Sequence, residues 1–317
     1  MRVHQFMIVL ACFAIGLAIP SDSRGGELKP YTLPPEARTG VEKLAASSDV
    51  LVLGEMHGTQ EVPQLVAGLL APLSELGYHN LAIEVPNNHQ AAMLAWARRE
   101  TETIPDFFAN PNGDGRGNSQ LLALVRIAAA PPFRWQIVCF DESELILEEK
   151  ARVALTQKKQ IEKAKGSELT VDDEMFAQWR ERDAAMAFNL VRETKSLKPT
   201  EKILAICGNL HARVTKDEHD PLLSKLWPSF AAMLKQGRPA WRVNSINIEY
   251  YSGGYFNEGK VQSIRKRPLE HAVVRSEGQS GCSLELSLPV ATPATFVSEK
   301  PGSRDDQAAK SQAGGDR

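Results

Sequence analysis

The chain has 317 residues, 43% of them hydrophobic and 24% charged, with a formal net charge of -2. That length suits one large or two modest domains, and the balance is that of an ordinary soluble globular protein. So even a charge offers no polyanion-binding surface, which argues against nucleic acid as a partner.

Arg2 and His4 precede an apolar run from Phe6 to Ile19, followed by Pro20-Ser21-Asp22-Ser23. A basic start and an apolar stretch of this length predict a secretory signal peptide, with Gly16-Leu17-Ala18 offering cleavage after Ala18. The run is shorter than the ~20 residues of a spanning helix. Residues 1–25 are therefore expected to be signal peptide and linker, and the protein to be exported, periplasmic or secreted. The membrane is then met only through this segment. An uncleaved anchor is the alternative; Leu10-Ala11 before Cys12 is a poor lipobox. Cys139 and Cys207 lie in apolar strand-like runs, and Cys282 makes the remaining number odd, so no disulfide framework is indicated. No Cys-x-x-Cys pair suggests a cysteine zinc site.

Residues 19–35 read as a linker or extended lead-in, and Glu36 to Ala46 as a short helix. Val50 to Leu53 is a short apolar run bounded by Gly54, the pattern of a buried strand. Glu55 and His57 follow at its carboxyl end. Val62, Leu65, Val66, Leu69, Leu70 and Leu73 have helical spacing, with Gly77 as a stop. Leu81 to Pro86 is a second strand carrying Glu84, which completes a parallel βαβ unit. Asn88 to Arg99 reads as a helix, 104–119 as a long Gly- and Pro-containing loop of the lid type, and Leu121 to Ala130 as a helix. Trp135 to Phe140 is a third strand ending in Asp141-Glu142. A charged helix is expected from Glu144 to Lys165 and a second long helix from Val171 to Ser196. Lys202 to Cys207 is a fourth strand, followed by Gly208-Asn209-Leu210-His211. Leu222 to Leu234 reads as a helix that Pro228 breaks or kinks. Trp241 to Tyr251 reads as an edge strand. The expected class is α/β: a mostly parallel sheet flanked by helices, with a long helical insertion. One domain spans 36–283, and 284–317 is expected to be a disordered polar tail.

In a parallel sheet the four strand ends share one edge, where ligands bind in open α/β folds. That places Glu55, His57, Glu84, Asp141 and His211 around one crevice. A carboxylate after a strand is often only a cap for the next helix, the plain reading for Asp141. Arg182 and Asp183 sit in an apolar helical stretch and should be partly buried and paired. Arg182 is expected to bridge a site carboxylate, or Asp183 to orient an imidazole. Glu and His side chains suit two tasks. They bind a divalent metal, with Glu55, His57 and His211 as candidate ligands, or they activate water directly. No Gly-x-Ser-x-Gly elbow indicates a serine nucleophile. Gly113-Asp114-Gly115-Arg116-Gly117 follows no strand and is discounted as a phosphate loop.

Gly54-Glu55-x-His57-Gly58, Glu84, Arg182-Asp183-x-x-Met186-Ala187-x-Asn189 and Gly208-Asn209-x-His211-Ala212 together resemble the erythromycin esterase/ChaN-like superfamily, which also takes in the TraB and Tiki proteins. The resemblance covers about Val50 to Val214. Only Met56 separates Glu55 from His57, which is the spacing of the ChaN-like branch; Gly58-Thr59 is similar to the esterases. The resemblance implies an α/β core with Glu55, His57, Glu84 and His211 in a central cleft. It also implies histidine-activated water in the esterase branch, metal-dependent proteolysis in the Tiki branch, and haem binding in the ChaN branch.

Two functions are carried forward. One is a hydrolase acting on an ester, lactone or peptide, with or without a divalent metal, whose partner is a small-molecule or peptide substrate. The other is a haem- or iron-binding uptake protein without catalysis, with Met56, Met93 and Met186 as candidate soft contacts. A silent interaction module closed by the 104–119 loop is a third.

Overall fold

The computed structural model describes residues 28–109, 113–143, 171–198, 200–218, 220–276 and 280–297. The expected signal peptide, the 144–165 helix, and 298–317 of the expected tail lie outside them.

β1 (Val50–Glu55) is buried along its whole length. A strand covered on both faces has no polar side to show, which is why its sequence is a continuous apolar run. Alternate residues serve opposite cores: Leu51 and Leu53 join one apolar cluster, Val50 and Val52 the other. β2 (Tyr78–Pro86), β3 (Gln136–Asp141), β4 (Lys202–Gly208) and β5 (Val243–Asn257) extend the sheet, followed by β6 (Lys260–Arg265), β7 (Val273–Ser276) and β8 (Leu284–Ala291). The order is β3-β2-β4-β1-β5-β8-β7, with β6 paired to β5. Every pairing from β3 to β8 is parallel; β6 and β7 run antiparallel to their neighbours. β1 and β2 are parallel as expected but not adjacent, because β4 lies between them.

Helices cover both faces. α1 (Pro35–Ala46), α2 (Glu61–Glu75), α3 (Gln90–Ala97) and α4 (Ser119–Ala129) supply the larger core. α5 (Val171–Glu193) and, after α6 (Pro221–Lys225), α7 (Phe230–Gly237) supply the smaller one through Met186, Leu190, Phe230 and Leu234. Pro228 falls between α6 and α7, the break its missing N–H predicts. The lead-in is extended and pinned, with Leu28 and Leu33 buried and Tyr31 N donating to Gln64 O.

Three expectations are corrected. β5 is no edge strand: it lies between β1 and β8 and continues through Gly253-Gly254 to Asn257. Its polar outer half looked one-sided because it projects past β1 and pairs with β6 instead. Gly54 does not bound the first strand, since it stays in β1 opposite Cys207 and Asn247. The domain does not stop at 283. β8 is parallel to β5, with Leu284, Leu286 and Leu288 buried, and the chain runs on in contact with the fold to Thr295 O, which accepts from Ser119 N. A strand of three leucines is too short to stand out beside a polar terminus.

Leu286 is fully buried, between Ile248 on β5 and Val274 on β7. Leu286→Ala should cost about 2–5 kcal/mol, read as a lower urea midpoint; a disordered tail would show no change.

Candidate active site

The four strand ends meet as expected. Glu55 closes β1 opposite Gly208, the last residue of β4. Glu84 lies near the end of β2, and Asp141 ends β3 beside Pro86. After β4 a tight turn, in which His211 N donates to Gly208 O at 2.9 Å, lifts His211 back over the edge.

Glu84 is the centre. Its Oε1 accepts from Arg182 Nη2 at 2.6 Å and Arg116 Nη1 at 3.1 Å, and its Oε2 accepts from Gly208 N at 2.6 Å. Asp141 backs the same guanidiniums. Its Oδ2 accepts from Arg116 Nη1 at 2.7 Å and Arg182 Nη2 at 2.8 Å, and its Oδ1 from Arg182 Nε at 2.9 Å. Two buried carboxylates and two cations therefore neutralise one another, as buried charges must. Asn189 of α5 donates to Phe140 O and Asp141 O, fastening the helix to the end of β3.

The imidazoles flank this cluster. His57 Nδ1 pairs with Glu55 Oε1 at 2.9 Å, and its Nε2 stands 3.6 Å from Glu84 Oε2. His211 Nδ1 is hydrogen-bonded to Asp183 Oδ1, and its Nε2 stands 3.8 Å from Glu84 Oε1. A carboxylate only accepts, so each shared proton sits on Nδ1, and in the neutral ring Nε2 carries the lone pair. A methyl placed on Gly208 would lie 2.8 Å from His57 Nε2 and 3.4 Å from His211 Cδ2. Both rings thus border one small space, which only a glycine leaves open. The His57 side chain is 21% exposed and that of His211 3%. Trp179 stacks on His211, with ring centroids 4.9 Å apart and planes 8° from parallel.

Around these groups opens a cleft of about 360 Å³, lined among others by Glu55, His57, Arg182, His211, Tyr255 and Asn257. Of the predicted residues, Glu84, Asp141 and Asp183 stand behind the lining and act on it. Asp141 is a partner for arginines, with Glu142 N also donating to its Oδ1. Both expectations for α5 hold: Arg182 bridges site carboxylates and Asp183 orients an imidazole. Phe188 departs from the apolar stretch and is 63% exposed. Met93 and Met186 are fully buried in the cores, while Met56 reaches the cleft. His89 is buried against Phe107.

Sequence reasoning missed Asp114, Arg116, Trp179, Tyr255 and Asn257. Arg116 comes from the Gly-rich segment discounted above. Gly115, at φ +90°, packs on Gly58, at φ +76°, where a Cβ would fall 2.4 Å from Gly58 Cα. Glycines at that crossing let the loop descend to the strand edge. A lone arginine between glycines was the available signal. The loop forms a wall of the cleft, with Asp114 in the lining, and Asp114 Oδ2 takes Arg116 Nε at 2.7 Å.

Electrostatics follow from this packing. Burial alone would neutralise Glu84, but His57, Arg116, His211 and Arg182 outweigh it and hold the carboxyl far below the usual range. Burial likewise opposes charge on His57, yet the Glu84 and Glu55 carboxylates win and raise its pKa. Burial raises the Glu55 and Asp183 carboxyls, against their hydrogen bonds to His57 and His211. Asp114 is lowered: burial opposes this, and Arg116 and His57 overcome it.

Among the described residues, no group of three His, Cys, Asp or Glu side chains is arranged to hold a metal ion. The expected ligands Glu55, His57 and His211 are committed elsewhere. Glu55 holds an imidazole nitrogen, and both free imidazole nitrogens face a carboxylate already bound by two guanidiniums. Those cations would repel a divalent ion, so the donor set does not fit one.

The fold, a mostly parallel sheet between helices with strand-end Glu and His residues at one edge, is shared with solved structures of low sequence identity, an erythromycin esterase among them. A mutant of the erythromycin esterase EreC in its open conformation is similar in structure, with a TM-score of 0.59 and 11% identity over 86% of this chain and 98% of that one. A succinoglycan biosynthesis protein is similar at a TM-score of 0.56 and 12% identity, over 86% and 95%. ChaN of Campylobacter jejuni, with cofacially bound haem, is similar at a TM-score of 0.44 and 13% identity, over 78% and 90%, a likeness too loose to bear on haem here. No family model matches the chain, and no curated protein matches it by sequence.

His57 should titrate above the ordinary histidine value of about 6.5 in an NMR titration, and Glu84→Gln should bring it down by removing the attracting charge. The folded pKa lies above the unfolded one. The stability His57 contributes is therefore full below about pH 6.5 and lost as pH rises through the raised value. Glu84→Gln should also cost about 3–5 kcal/mol at neutral pH, because it leaves buried guanidiniums short of an anion.

Proposed function

We propose that this chain is an exported hydrolase that cleaves an ester, lactone or peptide bond by activating water directly with histidine. One observation carries the reading. Each of two imidazoles lining the same cleft has Nδ1 held by a carboxylate and Nε2 without a hydrogen-bond partner among the described residues, 3.6 Å (His57) and 3.8 Å (His211) from Glu84. That arrangement prepares a base, because fixing the tautomer on one nitrogen leaves the other free to take a proton. The basic, apolar start of the sequence supports export.

His57 is the more exposed imidazole and serves as the general base. A water placed at His57 Nε2 attacks the acyl carbon and passes its proton to that nitrogen. Negative charge develops on the former carbonyl oxygen. Arg182 lines the cleft and uses Nε and Nη2 on carboxylates, which leaves Nη1 without a hydrogen bond among the described residues to face that oxygen. Such a preplaced cation stabilises the charge where it forms. The carbon–oxygen or carbon–nitrogen bond then breaks, and His57 returns the proton to the leaving group. His211, backed by Asp183, is the second imidazole available to the tetrahedral intermediate. No metal enters this scheme, in keeping with a donor set that does not fit one.

Screening ester, lactone and peptide substrates with and without chelator tests the proposal. Chelator should leave the rate unchanged, and His57→Ala should lower it by about 10²–10⁴-fold. Gly208→Ala, whose methyl would displace the His57 ring, should lower it with the fold retained. Activity should rise as pH climbs through the raised His57 pKa, since a base must be neutral to act. Activity that survives His57→Ala combined with His211→Ala, or that chelator abolishes and a divalent metal restores, overturns the proposal. A haem titration separates it from a haem carrier, for which a Soret shift is expected.

A further inference from the structure

One turn of α5 grips His211 from two directions. Asp183 takes the Nδ1 edge of the ring, and Trp179, four residues earlier and so on the same helical face, lies flat against the ring plane. A centroid distance of 4.9 Å at 8° is a stacked pair. The indole does not owe its place to its own polar atom. Trp179 Nε1 is buried without a hydrogen-bond partner among the described residues, a costly state for a donor. What the position does use is the face of the ring, which covers His211 and lines the cleft.

We propose that Trp179 is a positioning residue. Its indole plane holds the His211 ring so that Nδ1 stays on Asp183 and Nε2 stays turned to the cleft. The His211 ring turns about its Cβ–Cγ bond, and with Trp179 gone the single hydrogen bond at Nδ1 would be left to oppose a turn that carries Nε2 away from Glu84. A flat surface against the ring removes that freedom. Asp183 Oδ2 is itself buried without a hydrogen-bond partner among the described residues, so the carboxylate offers one oxygen to the ring and no second bond to fix its plane. The stack supplies the missing constraint. The consequence for rate rests on the hydrolytic reading above; the consequence for the ring does not.

The experiment compares Trp179→Leu, which keeps bulk without a flat face, with Trp179→Phe, which keeps one. In the full chain labelled at histidine, ¹³Cε1 relaxation reports the mobility of His211, assigned by its absence in His211→Ala. The order parameter should stay high in the natural protein and in Trp179→Phe, and fall below about 0.6, the flexible range, in Trp179→Leu. On a hydrolysed substrate, Trp179→Leu should lower kcat by about tenfold to a hundredfold through misplacement. KM should change by less than about twofold, Trp179→Phe should recover most of the rate, and Trp179→Leu should add no loss in a His211→Ala background. An order parameter equal in all three proteins overturns the proposal. So does a Trp179→Leu enzyme with raised KM and unchanged kcat, which would make the indole a substrate contact. If Trp179→Leu does not fold, Trp179→Gln takes its place in the same measurements. If no substrate is ever hydrolysed, the catalytic reading fails and the relaxation data alone decide the role of Trp179.

Discussion

Everything at the strand edge depends on the charge of Glu84. A buried carboxylate must be compensated, and here the compensation arrives from α5 as Arg182, from the 113–117 loop as Arg116, and from the end of β4 as the Gly208 N–H. Each donor drags its own element to the sheet edge. Asp141 repeats the demand from β3. The ionic cluster thus acts as a clasp among segments far apart in the chain. Replacing such a cluster with hydrophobic residues is often neutral or stabilising, so stability is a weak reason for its presence. Its effect on placement is concrete: with Glu84 fixed, both imidazoles have a negative neighbour at a set distance and one shared space.

The site is built in two layers. Groups that border the cleft, His57, His211 and Arg182, are each held by a carboxylate: Glu55, itself in the lining, for His57, and from behind Asp183 for His211 and Asp141 with Glu84 for Arg182. The rear layer spends its hydrogen-bonding capacity on orientation. That is why Glu84, first in importance for geometry, does not border the cleft itself. It is also in keeping with the absence, among the described residues, of a three-ligand metal group, since one oxygen each of Glu55 and Asp183 and both of Glu84 and Asp141 already have partners.

Much of this was legible residue by residue. Continuous apolar runs marked β1 to β4, because a parallel sheet covered on both faces needs them. Glycine, carboxylate and imidazole at the end of such a run marked the edge where a ligand would sit. Charges in the apolar stretch of α5 announced buried pairing. β8 was not legible: three alternating leucines next to a polar terminus carry too little signal. Nor was the interior place of β5, whose outer half projects past β1 and pairs with β6 instead. Arg116 was hidden for a different reason. Nothing local to a glycine-rich loop says that Gly115 will pack on Gly58 and lower an arginine onto two carboxylates.

By itself the sequence determined the strands from β1 to β4 and most of the described helices, which side chains stand at those strand ends, and which of them could accept or give a proton. Those properties are local, set by periodicity, by turn chemistry and by the functional groups themselves. Only the tertiary structure decided that β4 would lie between β1 and β2, that Arg116 and Trp179 would join the cluster, and that each imidazole would keep one nitrogen free. These outcomes depend on distances between segments about a hundred residues apart or more, such as Glu84 with Arg182 and with Gly208. Buried charges select such distances only once the chain has closed around them.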